Sequence, residues 1–233
     1  MQPANEHPKA LASASLDGGS LLPSELLTTT RSVRRRLDLD RPVERSVIEQ
    51  CLRMAFQAPS GGNSQGWSWV LVDDPDTKVR MAEIYRAGLD EHHSRTPGPA
   101  ELSDPFPPIV NDALRASVRH LTANIERAPV LLVPTIYSRF GRETTFQQAY
   151  TWASILPAVW NFMLALRAHG LGSAWTAVHL YREQEMAELL GIPYPAHIQA
   201  GLFPLGYTIG TTFSPGDRAA SEKRIFWNTW DET

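Results

Sequence analysis

Apolar residues in VERSVIEQCLRMAFQA fall at Val47, Ile48, Cys51, Leu52, Ala55 and Phe56. Their three- and four-residue spacing predicts an amphipathic helix over 43–58, stopped by Pro59. Upstream, SELLTTT predicts a short helix capped by Ser24 after Pro23, and RSVRRRLDLDRPV reads as extended chain and turn up to Pro42. The run WSWVLVDD is apolar without alternation, which predicts a strand buried on both faces at the centre of a sheet. TKVRMAEIYRAGLDEHH and DALRASVRHLTANIERA return to the helical period, and PVLLVPTIY predicts a second buried strand. QQAYTWASILPAVWNFMLALRAHG is apolar almost all round, with a kink expected at Pro157 and an end at Gly170. Such a helix belongs in a core or a subunit interface. A helix REQEMAELLG and one strand, IQAGLFPLGY, complete the body. Helices mixed with four or five strands and few hairpin signals predict an α+β or α/β layered fold.

Three stretches carry no period. Residues 1–23 read as a flexible arm preceding one domain over 24–233. The segment 94–108, with five prolines from Pro97 to Pro108, reads as a lid or an excursion. The polar tail 208–233 has late aromatics and cannot form a core alone, so it is expected to pack on another surface such as a partner subunit.

Composition narrows the function classes. A net charge of -3 gives no general attraction to nucleic acid. The single cysteine, Cys51, rules out an internal disulfide and lies on an apolar helix face, where a core thiol is expected. A reducing, cytoplasmic setting follows, and no membrane span or signal peptide is read from the chain. Seven scattered histidines without a metal-binding spacing imply no metal, and no G-x-S-x-G elbow is present. GLGSAW follows a helix and lacks a third glycine, so it is not a dinucleotide fingerprint.

The remaining chemistry is cationic and polar. Arg31, Ser32 and Arg34 offer two guanidinium forks and a hydroxyl suited to one phosphate, with a solvated basic turn as the plain alternative. In APSGGNSQGW, Gly61 and Gly62 let a flat ligand approach main chain, while Ser60, Asn63 and Gln65 present groups that match heterocycle or polyol edges. The two stretches flank one helix of roughly 15 residues, about 20 Å long. One ligand could meet both only through a second chain or a loop folding back.

The order R-S-x-R, P-S-x-x-N-x-Q-x-W, LRAHGLGSAW, LGIP, PLGY and a tail arginine resembles the FMN-dependent nitroreductase family over about residues 24–230. The resemblance implies a three-layer α+β fold with a central, mostly antiparallel sheet, and an intertwined homodimer with FMN in its interface. By the same resemblance, Arg31, Ser32 and Arg34 would contact the phosphate and ribityl chain. Pro59, Ser60 and Asn63 would reach the flavin from the neighbouring chain, with Gln65 in support. The Trp175–Leu180 stretch, including Thr176 and His179, would run beside the isoalloxazine ring, and Arg218 would reach the phosphate. His179 is either a general acid near N5 or a packed polar residue, the latter favoured. Departures are Gly66 in place of proline, Thr30 in place of a basic residue and Gly216 in place of lysine, with Arg35 or Arg36 able to complete phosphate binding. The implied activity is hydride transfer from NADPH or NADH through flavin N5 to a small nitroaromatic or quinone-like acceptor. No catalytic side chain is required. Related branches fragment flavin, remove halogen, dehydrogenate or bind a deazaflavin, and a non-enzymatic binding protein is the remaining alternative.

Overall fold

The structure, a computed structural model, describes residues 21–95, 112–138, 144–218 and 225–230. Most of the arm and positions 96–108 of the proline-rich segment lie outside them. Helices α1 (Pro23–Thr29), α2 (Arg45–Ala55), α3 (Pro75–Arg95), α4 (Asp112–Asn124), α5 (Thr145–Ala168) and α6 (Glu183–Leu190) surround strands β1 (Trp67–Val72), β2 (Val130–Tyr137), β3 (Leu171–Ser173), β4 (His197–Gln199) and β5 (Phe203–Tyr207). The sheet runs β1-β2-β5-β3 with β4 also on β2, and every one of these pairings is antiparallel.

Alternation along β2 sets the layers. Val130, Leu132 and Ile136 pack with α2 and α5 on one side, whereas Leu131 and Val133 pack with α3, α4 and α6 on the other. The outcome is a three-layer α+β fold. Helix α5 is long and apolar enough to cross a membrane by length and composition alone. Its Ile155, Val159, Phe162 and Leu166 are instead core residues, which accounts for its composition.

Four expectations need correction. Ser24 does not cap α1: Pro23 is already the first helical residue, and the Leu22 N–H donates to Glu25 Oε2 at 2.8 Å. Helix α2 ends at Ala55, before Pro59, and Phe56 turns outward to stack on Trp67 with centroids 6.2 Å apart. Strand β1 lies at a sheet edge and pairs only with β2 among the described residues. Its continuous apolarity serves its two faces, Trp67 and Trp69 on one and Val70 and Val72 on the other, and says nothing of lateral position.

The fourth correction concerns IQAGLFPLGY, which is two strands. Leu132 pairs with Phe203 and Thr135 with Gln199, so two residues of β2 oppose three of the other chain, Ala200 to Leu202. This is a bulge, and Gly201 takes φ 147° inside it. Pro134 supplies the reason. Its carbonyl accepts from Ala200 N at 2.8 Å, so its missing N–H falls on the same side, where the opposing chain would need a donor. Leu202 faces the other neighbour and continues the β3–β5 register, exchanging two hydrogen bonds with Thr176, 3.0 and 2.8 Å long.

Candidate functional site

The arginine-rich turn is stitched to the end of the sheet. Val33 N donates to Ser173 O and Asp38 N to Tyr207 O, both at 2.8 Å, and the side chains of Val33 and Leu37 are buried. The alternation leaves Arg31, Ser32 and Arg34 along a cavity of about 260 Å³ that also receives Ser117 from α4 and Thr212 and Ser214 from the tail. Arg31 Nη1 donates to Ser214 O at 3.2 Å. Arg34 is half-buried, and burial lowers its pKa from the ordinary arginine range. Among the described residues nothing hydrogen-bonds or ion-pairs with its guanidinium. A cation in that condition favours an anionic ligand.

Arg36 is already committed to the tail. Its Nε and Nη1 donate to Ile209 O and Thr212 O at 2.8 Å, and its guanidinium lies 4.0 Å from the Phe213 ring centroid. Arg167, from the end of α5, is 7 % exposed, donates to Thr211 O and also lies over Phe213. Sequence reasoning missed Arg167; an arginine on an otherwise apolar helix was the available signal. Arg218 does not line the cavity: it is exposed, and its Nη1 donates to the carbonyl of Asp217.

The loop Pro59–Gln65 makes a different structure. Gly62, Asn63 and Gln65 have φ of 56°, 54° and 49°, in the left-handed region. Gln65 N donates to Ser60 Oγ at 3.2 Å, and Gln65 Nε2 to Asn63 Oδ1 at 2.8 Å, so Gln65 does brace its neighbours. Gly61 N donates to Ser154 Oγ, and the Tyr150 hydroxyl donates to Gly61 O at 2.6 Å. Tyr150 was not anticipated. A Cβ on Gly61 would collide with the Tyr150 ring, so glycine is needed there for close approach.

The segment Trp175–Leu180 is half-buried, with Ala177 exposed and only His179 fully buried. Trp175 Nε1 donates to Ala200 O at 3.0 Å, with its indole against Gly201 and Phe203. Behind Val178 and His179 lies Gly88 of α3, where any Cβ would strike the Val178 carbonyl. His179 is 0 % exposed, its Nε2 sits 3.2 Å from Gln199 Oε1, and burial pushes its pKa down to about 4. That environment fits the packed polar residue and not a general acid, which needs a pKa nearer neutrality. Leu180 borders a cavity of about 1090 Å³ between α3 and α6, lined chiefly by charged residues such as Asp90, Glu91, Arg182 and Glu188.

Within the protomer the arginine turn and the Pro59–Gln65 loop stay apart. Ser154 contacts the loop and Arg167 the tail beside the turn, thirteen positions along α5, or about 20 Å. Cys51 is fully buried and its thiol pKa is pushed up to about 12 by burial, as expected of an inert core thiol. Among the described residues no cluster of three or more His, Cys, Asp or Glu is placed to hold a metal.

Fold and site together define a layered α+β protein with an arginine-rich turn at one end of its sheet. The chain belongs to the nitroreductase family, whose model matches residues 27–207. It is 28 % identical to an NADH dehydrogenase of Thermus thermophilus over 200 residues, 84 % of this chain and 91 % of that protein. It is 29 % identical to iodotyrosine deiodinase of Drosophila melanogaster over 187 residues, 78 % of this chain but only 61 % of the deiodinase. The crystal structure of an FMN- and NADPH-dependent nitroreductase from sphigopyxis sp. strain HMH has the same fold, with a TM-score of 0.66 at 23 % identity, covering 90 % of this chain and 100 % of the other. The family is one of flavoprotein oxidoreductases.

Proposed function

We propose that this chain is an FMN-dependent oxidoreductase that works as a cytoplasmic homodimer. The observation carrying the proposal is Arg34, half-buried and unpartnered among the described residues, in a cavity shared with Arg31 and Ser32. Two guanidiniums and a hydroxyl are the donor set that a phosphate monoester requires, so the residues fit the phosphate end of FMN. FMN held by these residues would supply the redox chemistry, hydride transfer in ping-pong order from NADPH or NADH to a nitroaromatic or quinone-like acceptor.

The protein's part is binding and orientation. Arg31, Ser32 and Arg34 hold the phosphate and ribityl chain, with Arg218 of the tail assigned to the phosphate as well. Pro59, Ser60 and Asn63 of the partner subunit approach the ring, and the bond from Gln65 to Asn63 keeps that loop in shape. The main chain of Trp175, Thr176, His179 and Leu180 forms the wall beside the ring. The separation of about 20 Å along α5 supports a shared interface, because one protomer cannot bring both groups to one ligand.

A visible absorption spectrum of the purified protein, repeated after anaerobic addition of NADPH and then NADH, tests the proposal. A yellow protein that bleaches with either nucleotide is the expected result, and a colourless protein unchanged by added FMN refutes it. Arg34→Ala should weaken FMN binding about 30-fold, read by flavin fluorescence titration. The similarity to iodotyrosine deiodinase favours one alternative, reductive removal of halogen from an aromatic substrate on the same fold. A flavoprotein that oxidises neither nucleotide with nitroaromatics or quinones moves the assignment there.

A further inference from the structure

His179 is the most deeply enclosed titratable group in the candidate site, and its hydrogen bonds determine its protonation pattern. Gln199 Nε2 donates to the main-chain carbonyl of Glu183 at 2.9 Å, so the carboxamide cannot flip without setting two oxygens against each other. Its Oε1 is therefore the atom that meets His179 Nε2, and only an N–H on that nitrogen makes a bond. Nδ1 is left as a bare acceptor, buried and without a partner among the described residues. The opposite tautomer would bury an unpaired N–H and turn a lone pair toward Oε1, both costly.

The chain of bonds continues into the scaffold. Gln199 N donates to Glu183 Oε1 at 2.9 Å, so the last residue of β4 grips the first residue of α6 through both side chain and main chain. The turn carrying His179 is thus tied to β4 and α6 by one imidazole, while the Thr176–Leu202 bridge and the Gly88 contact secure the preceding residues. We propose that His179 is a positioning residue: as the Nε2–H tautomer bonded to Gln199, it fixes the Trp175–Leu180 segment at the place that the flavin reading above assigns to the ring. It transfers no proton and touches no substrate.

Three measurements on the full chain test this. In histidine ¹⁵N NMR, His179 should show a protonated Nε2 and bare Nδ1, unchanged between about pH 5.5 and 8. An Nδ1–H signal, or titration within that window, overturns the tautomer assignment without any variant being made. In hydrogen exchange, His179→Leu should speed the amides of residues 176–180 about tenfold, and His179→Gln, whose carboxamide N–H can still reach Gln199, should return them to within about threefold. Wild-type exchange in the Leu variant overturns the positioning role. In anaerobic reduction by NADPH or NADH, the Leu variant should lose about tenfold in rate with FMN affinity within about threefold, and the Gln variant should recover the rate. Equal rates in all three proteins also overturn it. A wild-type chain that binds no FMN defeats the flavin reading instead, and the NMR and exchange results then decide the fixing role alone.

Discussion

Two segments that carry proposed cofactor residues are built in opposite ways. Trp175–Leu180 is half-buried around a fully buried His179 and secured by a sheet bridge, a glycine contact and an imidazole bond. Pro59–Gln65 is largely exposed, has three residues in the left-handed region and meets α5 through Tyr150 and Ser154. The first is finished within one protomer. The second presents polar groups outward, toward whatever packs there. A site assembled this way combines a rigid wall with an adaptable one, and the two should answer differently to perturbation.

Acid should separate them most. An unfolded histidine titrates near pH 6.5, whereas His179 in the folded chain titrates near 4, so the unfolded state binds the proton first. Stability is therefore lost as pH falls from about 6.5 toward 4, by about 3 kcal/mol at the lower end, and His179→Leu should lack that slope in urea titrations. Parallel curves for the two proteins would remove the claim that the His179 side chain is closed to water. Gly88→Ala should cost about 2–3 kcal/mol, because its methyl meets the main chain of Val178 and His179, which cannot swing away. Gly61→Ala should cost less, about 1–2 kcal/mol, since the half-exposed Tyr150 ring can swing away. If Gly61→Ala proves the worse of the two, the outer loop is as rigid as the inner segment. Tyr150→Phe should be mildest, about 1 kcal/mol or less in thermal unfolding, from one lost hydroxyl bond to Gly61 O.

Much of this was legible in the sequence. The apolar pattern located all the long helices and the β2 strand, and the arginine-rich stretch was legible as extended chain and turn, whereas the burial of Val33 and Leu37 beneath it was not. What could not be read depends on contacts between distant positions. WSWVLV is as apolar as a central strand, yet sits at an edge, because lateral pairing leaves no trace in side-chain hydropathy. Arg36 and Arg34 are two residues apart and chemically alike; only the tail's path decides that one binds Ile209 and Thr212 carbonyls while the other stays unpartnered among the described residues. Nor does His179 announce its burial, which requires Gly88, some ninety residues earlier, to have no side chain.

Pro134 has the widest reach for its size. By withholding one donor it makes the strand opposite skip a beat at Gly201, one residue before the peptide that bonds Thr176. The wall proposed to lie beside the ring hangs from the residue that directly follows this irregularity.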